Sequence, residues 1–207
     1  MYSVDCIKAL VPLIKDQLVV LSLGRIAEEW ADLCPRDANL FDSGMGHHIP
    51  VALGLAAALP HREIILLDTD GSVLMLLSAL TTLGQHPPPN LKIFVFDNEA
   101  YEGTGSQPTA TAGPTDIAAM ARGAGVRDAQ TASDLESFQK LARAALTTQG
   151  LAFIVAKVEL SKVPAPRKRI PPGKRSRDLS GMSKPQKRYP SSTLRLLEAE
   201  GSRRRHH

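Results

Sequence analysis

The 207-residue sequence predicts an α/β protein: a doubly wound, mostly parallel sheet with helices on both faces. Two observations carry that reading. Short, nearly continuous apolar runs recur through the first 160 residues, the pattern of strands buried on both sides. Segments with helical spacing alternate with these runs, and no internal repeat interrupts the alternation.

Taken in order, Leu18 to Ser22 reads as the first strand. Ile26 to Leu33 reads as a helix with Ile26, Trp30 and Leu33 on one side. Residues 39–42 form a short strand around Leu40 and Phe41. Ile49 to Leu59 is Ala-rich and apolar, a buried helix with Pro50 in its first turn, where a missing N–H is harmless. Glu63 to Asp68 is a buried strand, and Ser72 to Leu83 has helical spacing. The breaker Pro87-Pro88-Pro89 precedes a strand over Leu91–Phe96, and a Gly-, Thr- and Pro-rich loop spans 103–114. Asp116 to Gly123 and Asp134 to Thr147 read as helices; Ser133 is the expected N-cap of the second, with Glu136 completing a capping box. Leu151 to Val158 closes the sheet. One domain is therefore expected over 1–160.

The rest, 161–207, is a basic tail. Prolines at 164, 166, 171, 172, 185 and 190 forbid long regular structure, leaving at most a short helix over 191–200. Residues 162–207 hold 14 of the 25 Lys and Arg against three acids; residues 1–161 hold the other 11 against 18 acids. The formal charge of +4 thus describes a basic arm on an acidic body. The arm lacks interleaved aromatics beyond Tyr189 and a recognition fold, so it reads as a solvated arm on an acidic partner surface and not as a nucleic-acid binder. Two cysteines, Cys6 and Cys34, exclude a disulfide framework and a Cys-rich metal centre. No apolar run reaches the roughly 18 residues of a membrane span, and the N-terminus has no signal-peptide pattern. A soluble, cytoplasmic protein is expected.

In an open parallel sheet, ligands bind beyond the carboxyl ends of the strands. Two segments fall there: Leu67-Asp68-Thr69-Asp70-Gly71-Ser72 and Phe96-Asp97-Asn98-Glu99-Ala100-Tyr101. Asp70 is a hard oxygen ligand at a strand tip, Gly71 permits close backbone approach, and a helix opening at Ser72 favours an anion. Asn98 adds a neutral oxygen. A carboxylate, an amide oxygen and a backbone carbonyl leave half an octahedron for phosphate oxygens and water, which suits Mg2+. Either segment alone also fits an ordinary turn.

These residues resemble the diphosphate-binding domain of the thiamine-diphosphate enzymes, whose motif is Gly-Asp-Gly, about 25 to 30 residues, then Asn-Asn. Here Thr69-Asp70-Gly71 is followed by Asp97-Asn98, and Gly44-Met45-Gly46-His47-His48-Ile49-Pro50 is similar to the family's preceding segment. Residues 98–109, Asn-Glu-Ala-Tyr-Glu-Gly-Thr-Gly-Ser-Gln-Pro-Thr, resemble the sulfopyruvate and phosphonopyruvate decarboxylase branch. The resemblance implies thiamine diphosphate and Mg2+ as cofactors. It implies Asp70, Asn98 and the Ala100 carbonyl as metal ligands, and Gly71 and Ser72 against the diphosphate, with Gly24 and Arg25 reaching it from an earlier turn. It implies Met45 beneath the bent cofactor, the Ser43 carbonyl on its aminopyrimidine, and Gly44, Tyr101 and Thr104 beside it. Two departures stand out. Thr69 replaces the first Gly, and Asp97 replaces the first Asn, adding a carboxylate that either strengthens cation binding or repels diphosphate.

The family activates its cofactor with a Glu on a separate pyrimidine-binding domain, for which one domain over 1–160 leaves no room. The resemblance therefore implies a β-type subunit of a 2-oxo acid decarboxylase, in a hetero-oligomer or at least a homodimer, with a pyrimidine-binding α-type partner. An acetolactate-synthase-like carboligase subunit and a non-catalytic regulatory module are the alternatives. The ferredoxin-linked oxidoreductase type lacks its iron–sulfur cysteines here. His47 and His48 are candidates for a substrate-facing proton donor or anion binder, set against a helix-start histidine with local bonds. Thr104, Ser106 and Gln107 would form a substrate-contacting loop.

Overall fold

A computed structural model describes residues 1–41 and 44–166. Six strands form one parallel sheet: β1 (Leu18–Leu21), β2 (Asn39–Phe41), β3 (Ile64–Thr69), β4 (Leu91–Asp97), β7 (Ala129–Ala132) and β8 (Ala152–Lys157). Two further strands, β5 (Ala100–Tyr101) and β6 (Gln107–Pro108), pair antiparallel as a separate hairpin. The helices are α1 (Ser3–Leu10), α2 (Arg25–Leu33), α3 (His48–Ala58), α4 (Asp70–Met75), α5 (Ser78–Gln85), α6 (Ile117–Gly123) and α7 (Leu135–Thr147).

The sheet order is β2-β1-β3-β4-β8-β7. The chain runs outward from β1 to β2, then returns to place β3 on the other side of β1. That reversal is a topological switch point, where connections leave the sheet in opposite directions and open a crevice beyond the strand ends. Every residue of β1, β2 and β4 is buried, as a sheet covered on both faces requires.

Alternation of side chains along each strand divides the core in two. On one face α1, α2 and α7 pack Ile7, Leu10, Trp30, Phe138 and Ala142 against Val19, Leu21, Ile65, Leu67, Phe94 and Phe96. Phe138 meets Phe94 edge-on with ring centroids 6.0 Å apart. The spacing Cys6, Ile7, Leu10 makes α1 amphipathic, and all three are fully buried. The opposite face of β3 and β4 is covered by α3 and α4, with α5 packed against α3 and α6. No helix among the described residues is long and apolar enough to cross a membrane.

Three expectations need correcting. The helix expected over 72–83 is two helices, α4 and α5, broken at Leu76, whose φ of −141° and ψ of 60° are not helical. Gly46 approaches this break so closely that a Cβ there would lie 3.2 Å from the Met75 Cβ, so the 44–47 turn docks where the helix opens. The cap of α7 lies one residue later than expected: Asp134 accepts from the Ser137 N–H at 2.8 Å, and Ser137 answers as the reciprocal partner. Finally, α1 and β7 join the expected elements; β7 is a short edge strand, Ala-Gln-Thr-Ala, parallel to β8. The candidate short helix at 191–200 and most of the tail lie outside the described residues, as does Ser43.

Candidate functional site

Strand register builds the site. Thr69 lies beside Phe96 across β3 and β4, so Asp70 and Asp97 leave the sheet as neighbours. Asp97 in turn lies beside Lys157 across β4 and β8. On the other side, β1 ends at Leu21 beside Leu67 and turns into α2 at Gly24, whose φ of 77° suits glycine. The crevice over these strand ends is a cavity of about 120 Å³. Its lining includes Gly24, Arg25, Met45, Gly71, Asn98 and Tyr101. Ala100 and Thr104 also line it.

Asp70 is 1% exposed. Its Oδ2 accepts from the Thr109 hydroxyl at 2.6 Å, while its Oδ1 is buried with no hydrogen-bond partner among the described residues. Burial raises its pKa above the usual carboxylate range; the Thr109 bond opposes the shift and the Asp97 charge adds to it. A buried carboxylate oxygen without a donor is an expensive arrangement unless something else meets it. A cation is the ligand that such an oxygen fits.

Asn98 is held at both ends of its amide. Its Oδ1 accepts from the Ala100 N–H at 3.1 Å and its Nδ2 donates to Glu102 Oε2 at 3.3 Å. Gly71 lacks a side chain because Tyr101 occupies that space: a Cβ would stand 2.7 Å from the ring. The Met45 Cε lies 3.7 Å from the same point. Thr104 sits on the rim, its hydroxyl 3.3 Å from the Tyr101 carbonyl.

Asp97, the departure from the family pattern, is already neutralised. It is buried, with Oδ2 3.0 Å from Lys157 Nζ, and Oδ1 accepts from the Thr111 hydroxyl at 2.7 Å and the Glu99 N–H at 3.2 Å. Lys157 also pairs with Glu99. Burial disfavours the Lys157 charge, but the bonds to Glu99 and Asp97 together outweigh it and raise its pKa. The extra carboxylate therefore neither adds a bare ligand nor faces the cavity as an unpaired charge.

The two histidines, Ser72 and Arg25 have partners of their own. His48 is wholly buried; its Nδ1 lies 3.0 Å from Asp68 Oδ1 and 2.8 Å from Ser72 Oγ. It is turned away from the cavity and ties the 44–48 turn to α4. His47 is exposed and folds back over Gly44, with its Nδ1 2.6 Å from where a Gly44 Cβ would be. Neither histidine lines the cavity. The Ser72 hydroxyl accepts from the Gly46 N–H at 3.1 Å, so its side chain faces that turn. Arg25 lines the cavity, but Glu102, Glu29 and the Val163 carbonyl hold its guanidinium. The Glu102 bond is the main reason its pKa rises. Glu29 is buried, which lifts its pKa, while Ser3 and Arg25 oppose the shift. Cys6 and Cys34 are free buried thiols, and burial pushes Cys6 up to about 12.

Sequence reasoning missed Thr109, Thr111 and Lys157. Thr109-Ala110-Thr111 carried one usable sign, two hydroxyls two residues apart at the exit of the loop. Lys157 carried another, as a charge ending an apolar run.

A family profile described as "Thiamine pyrophosphate enzyme, C-terminal TPP binding domain" matches residues 34–156. This chain belongs to the thiamine pyrophosphate enzyme family. Sulfopyruvate decarboxylase subunit beta of Methanocaldococcus jannaschii is 34% identical over 156 residues, which cover 74% of this chain and 82% of that protein. Phosphonopyruvate decarboxylase of Streptomyces viridochromogenes is 35% identical over 148 residues. That match covers 71% of this chain but only 37% of the relative. Among solved structures, the thiamine diphosphate-dependent 4-hydroxybenzoylformate decarboxylase of Rhodococcus jostii RHA1 superposes with a TM-score of 0.65 at 20% identity. The match spans 79% of this chain and 33% of that one, a likeness of fold. The matched region contains the ends of β3 and β4, with Asp70, Gly71 and Asn98.

Proposed function

We propose that this chain is the cofactor-binding subunit of a thiamine-diphosphate- and Mg2+-dependent 2-oxo acid decarboxylase of the sulfopyruvate or phosphonopyruvate type. Its active site is shared with a pyrimidine-binding partner subunit. One observation carries the reading: Asp70 presents a buried carboxylate oxygen, without a hydrogen-bond partner among the described residues, at a strand end whose neighbour carries Asn98.

Asp70, Asn98 and the Ala100 carbonyl would hold Mg2+, a donor set of hard oxygens suited to that ion. Gly71 would let the diphosphate approach the backbone, and Met45 would support the cofactor from the cavity wall. Thiamine diphosphate, when bound, supplies the electron sink that accepts the charge left as a 2-oxo acid loses carbon dioxide. The chain's own work is positioning. Lys157 cancels the Asp97 charge beside the site, Glu102 fixes the Asn98 amide, and Arg25 ties the 102–104 segment to the start of α2. His48 acts at a distance, bracing the 44–48 turn on Ser72 and Asp68.

The subunit reading is supported by coverage: the chain matches 82% of a β subunit but 37% of a phosphonopyruvate decarboxylase. The small 2-oxo acid would enter from the side the partner completes. The test is carbon dioxide release from a panel of 2-oxo acids, first with the purified chain and then with the pyrimidine-binding protein that co-purifies from the native source. Turnover only with both, and fastest on sulfopyruvate or phosphonopyruvate, is expected. Turnover by the pure chain would refute the shared site. Carboligation without net decarboxylation of any substrate, or silence of the complex, would refute the decarboxylase.

A further inference from the structure

Asp70 is asymmetric in a way that its neighbours enforce. One oxygen is saturated by Thr109 at 2.6 Å and approached by Thr111 at 3.3 Å, while the other has no hydrogen-bond partner among the described residues. Asp97, its neighbour across the strands, is saturated on both oxygens by Lys157, Thr111 and the Glu99 N–H. The two threonine hydroxyl oxygens lie 2.8 Å apart, and the residues are buried at 5% and 4% exposure. A buried hydroxyl in an irregular segment can be satisfied by any nearby carbonyl. Here both hydroxyls reach carboxylates, and those carboxylates stand on two different strand ends.

The chain is folded to bring them there. Glu99 takes a left-handed turn at φ 61°, and β5 and β6 pair, carrying the chain out and back. The Thr109 N–H then closes on the Glu99 carbonyl at 3.0 Å, directly beyond Asn98. This hairpin returns Thr109 to the strand tips from which the chain left.

We infer that Thr109 is a positioning residue for the metal site: its hydroxyl locks one oxygen of Asp70 so that the other is presented to the cation. Thr111 fixes Thr109 and Asp97 in the same frame. The inference rests on the reading that Asp70 binds the metal. The physical ground is the carboxylate torsion, which is broad and two-fold at the end of an Asp side chain and so does not choose an orientation by itself. A hydrogen bond to the non-ligating oxygen makes that choice, and partners of this kind typically govern metal affinity by about 10- to 100-fold.

The experiment is Mn2+ titration of the chain, in complex with its partner and saturated with thiamine diphosphate, followed by the electron paramagnetic resonance signal of free Mn2+. Wild type, Asp70→Ala, Thr109→Val, Thr109→Ser and Thr111→Val are compared, with metal-free melting as a fold control. Thr109→Val should weaken Mn2+ by about tenfold or more with metal-free melting near wild type, and Thr109→Ser should recover most of the affinity. Wild-type affinity in Thr109→Val, when Asp70→Ala has lost binding, would overturn the inference. Binding by Asp70→Ala equal to wild type, or none by wild type, would instead overturn the underlying metal-site reading, and the inference with it. Should Thr109→Val fail to fold, Thr111→Val decides: it must weaken Mn2+ measurably, and an unchanged affinity overturns the inference.

Discussion

Lys157→Met tests how this protein tolerates an acid at the position where the family pattern has Asn. Asp97 is 3% exposed at its side chain and Lys157 Nζ lies 3.0 Å from it, so the substitution leaves a buried carboxylate without its counter-charge. Breaking a fully buried pair costs about 3–5 kcal/mol. Two features reduce that here. The Lys157 side chain is 34% exposed, so water screens the pair, and the Thr111 hydroxyl and Glu99 N–H remain on Asp97 Oδ1. A loss of about 2 kcal/mol is therefore expected. Introducing Asp97→Asn beforehand removes the charge that needed cancelling, so Lys157→Met in that background should cost no more than about 0.5 kcal/mol. The assay is urea unfolding of the four proteins, read as a double-mutant cycle, with a coupling of about 1.5 kcal/mol expected. Equal costs of Lys157→Met in both backgrounds would refute the argument that Lys157 exists to neutralise Asp97.

Two further outcomes follow from the same geometry. Gly71→Ala places a methyl 2.7 Å from the Tyr101 ring, so the ring must swing into the cavity. A stability loss of about 1–3 kcal/mol and a weaker thiamine diphosphate affinity are expected by calorimetry, and an unchanged affinity would show that Tyr101 does not shape the site. Asp70 has a raised pKa in the folded protein, so the folded state takes up its proton more readily than the unfolded chain. Its contribution to stability is present below the unfolded value of about 3.9 and is lost as pH rises through the folded value. Asp70→Asn should accordingly raise the melting temperature of the metal-free protein at pH 7.5, and the gain should vanish near pH 4. A variant less stable at neutral pH would contradict this sign.

The parallel sheet was legible because the strand-forming runs are buried on both faces and so carry almost no polar residue. Leu18–Leu21, Ile64–Leu67 and Leu91–Phe96 need no alternation to be recognised. The same rule hides β7, whose Ala-Gln-Thr-Ala lies at the sheet edge and is half exposed. Helix α1 was missed although Cys6, Ile7 and Leu10 have helical spacing, because its eight residues sit at the chain start without a matching strand before them. The break at Leu76 lies where the 44–47 turn packs, a contact between distant segments that no local pattern encodes.

At the site, the strand-end residues could be found because register and spacing are one-dimensional facts. Their environment could not. The pairing of Asp97 with Lys157 spans 60 residues, and that of Asp70 with Thr109 spans 39. His48 shows the same limit from the other side. A histidine following a glycine turn has the chemistry of a proton donor, but it faces Asp68 and Ser72 inside the core.

In the proposed function, Asp70 and Asn98 hold a cation on which the diphosphate is carried. Titration calorimetry with thiamine diphosphate, with and without Mg2+, on wild type and Asp70→Ala in the presence of the partner subunit tests it most directly. Binding by wild type only when Mg2+ is present, and none by Asp70→Ala, is expected. Equal affinity in the two proteins, or binding indifferent to Mg2+, would contradict it.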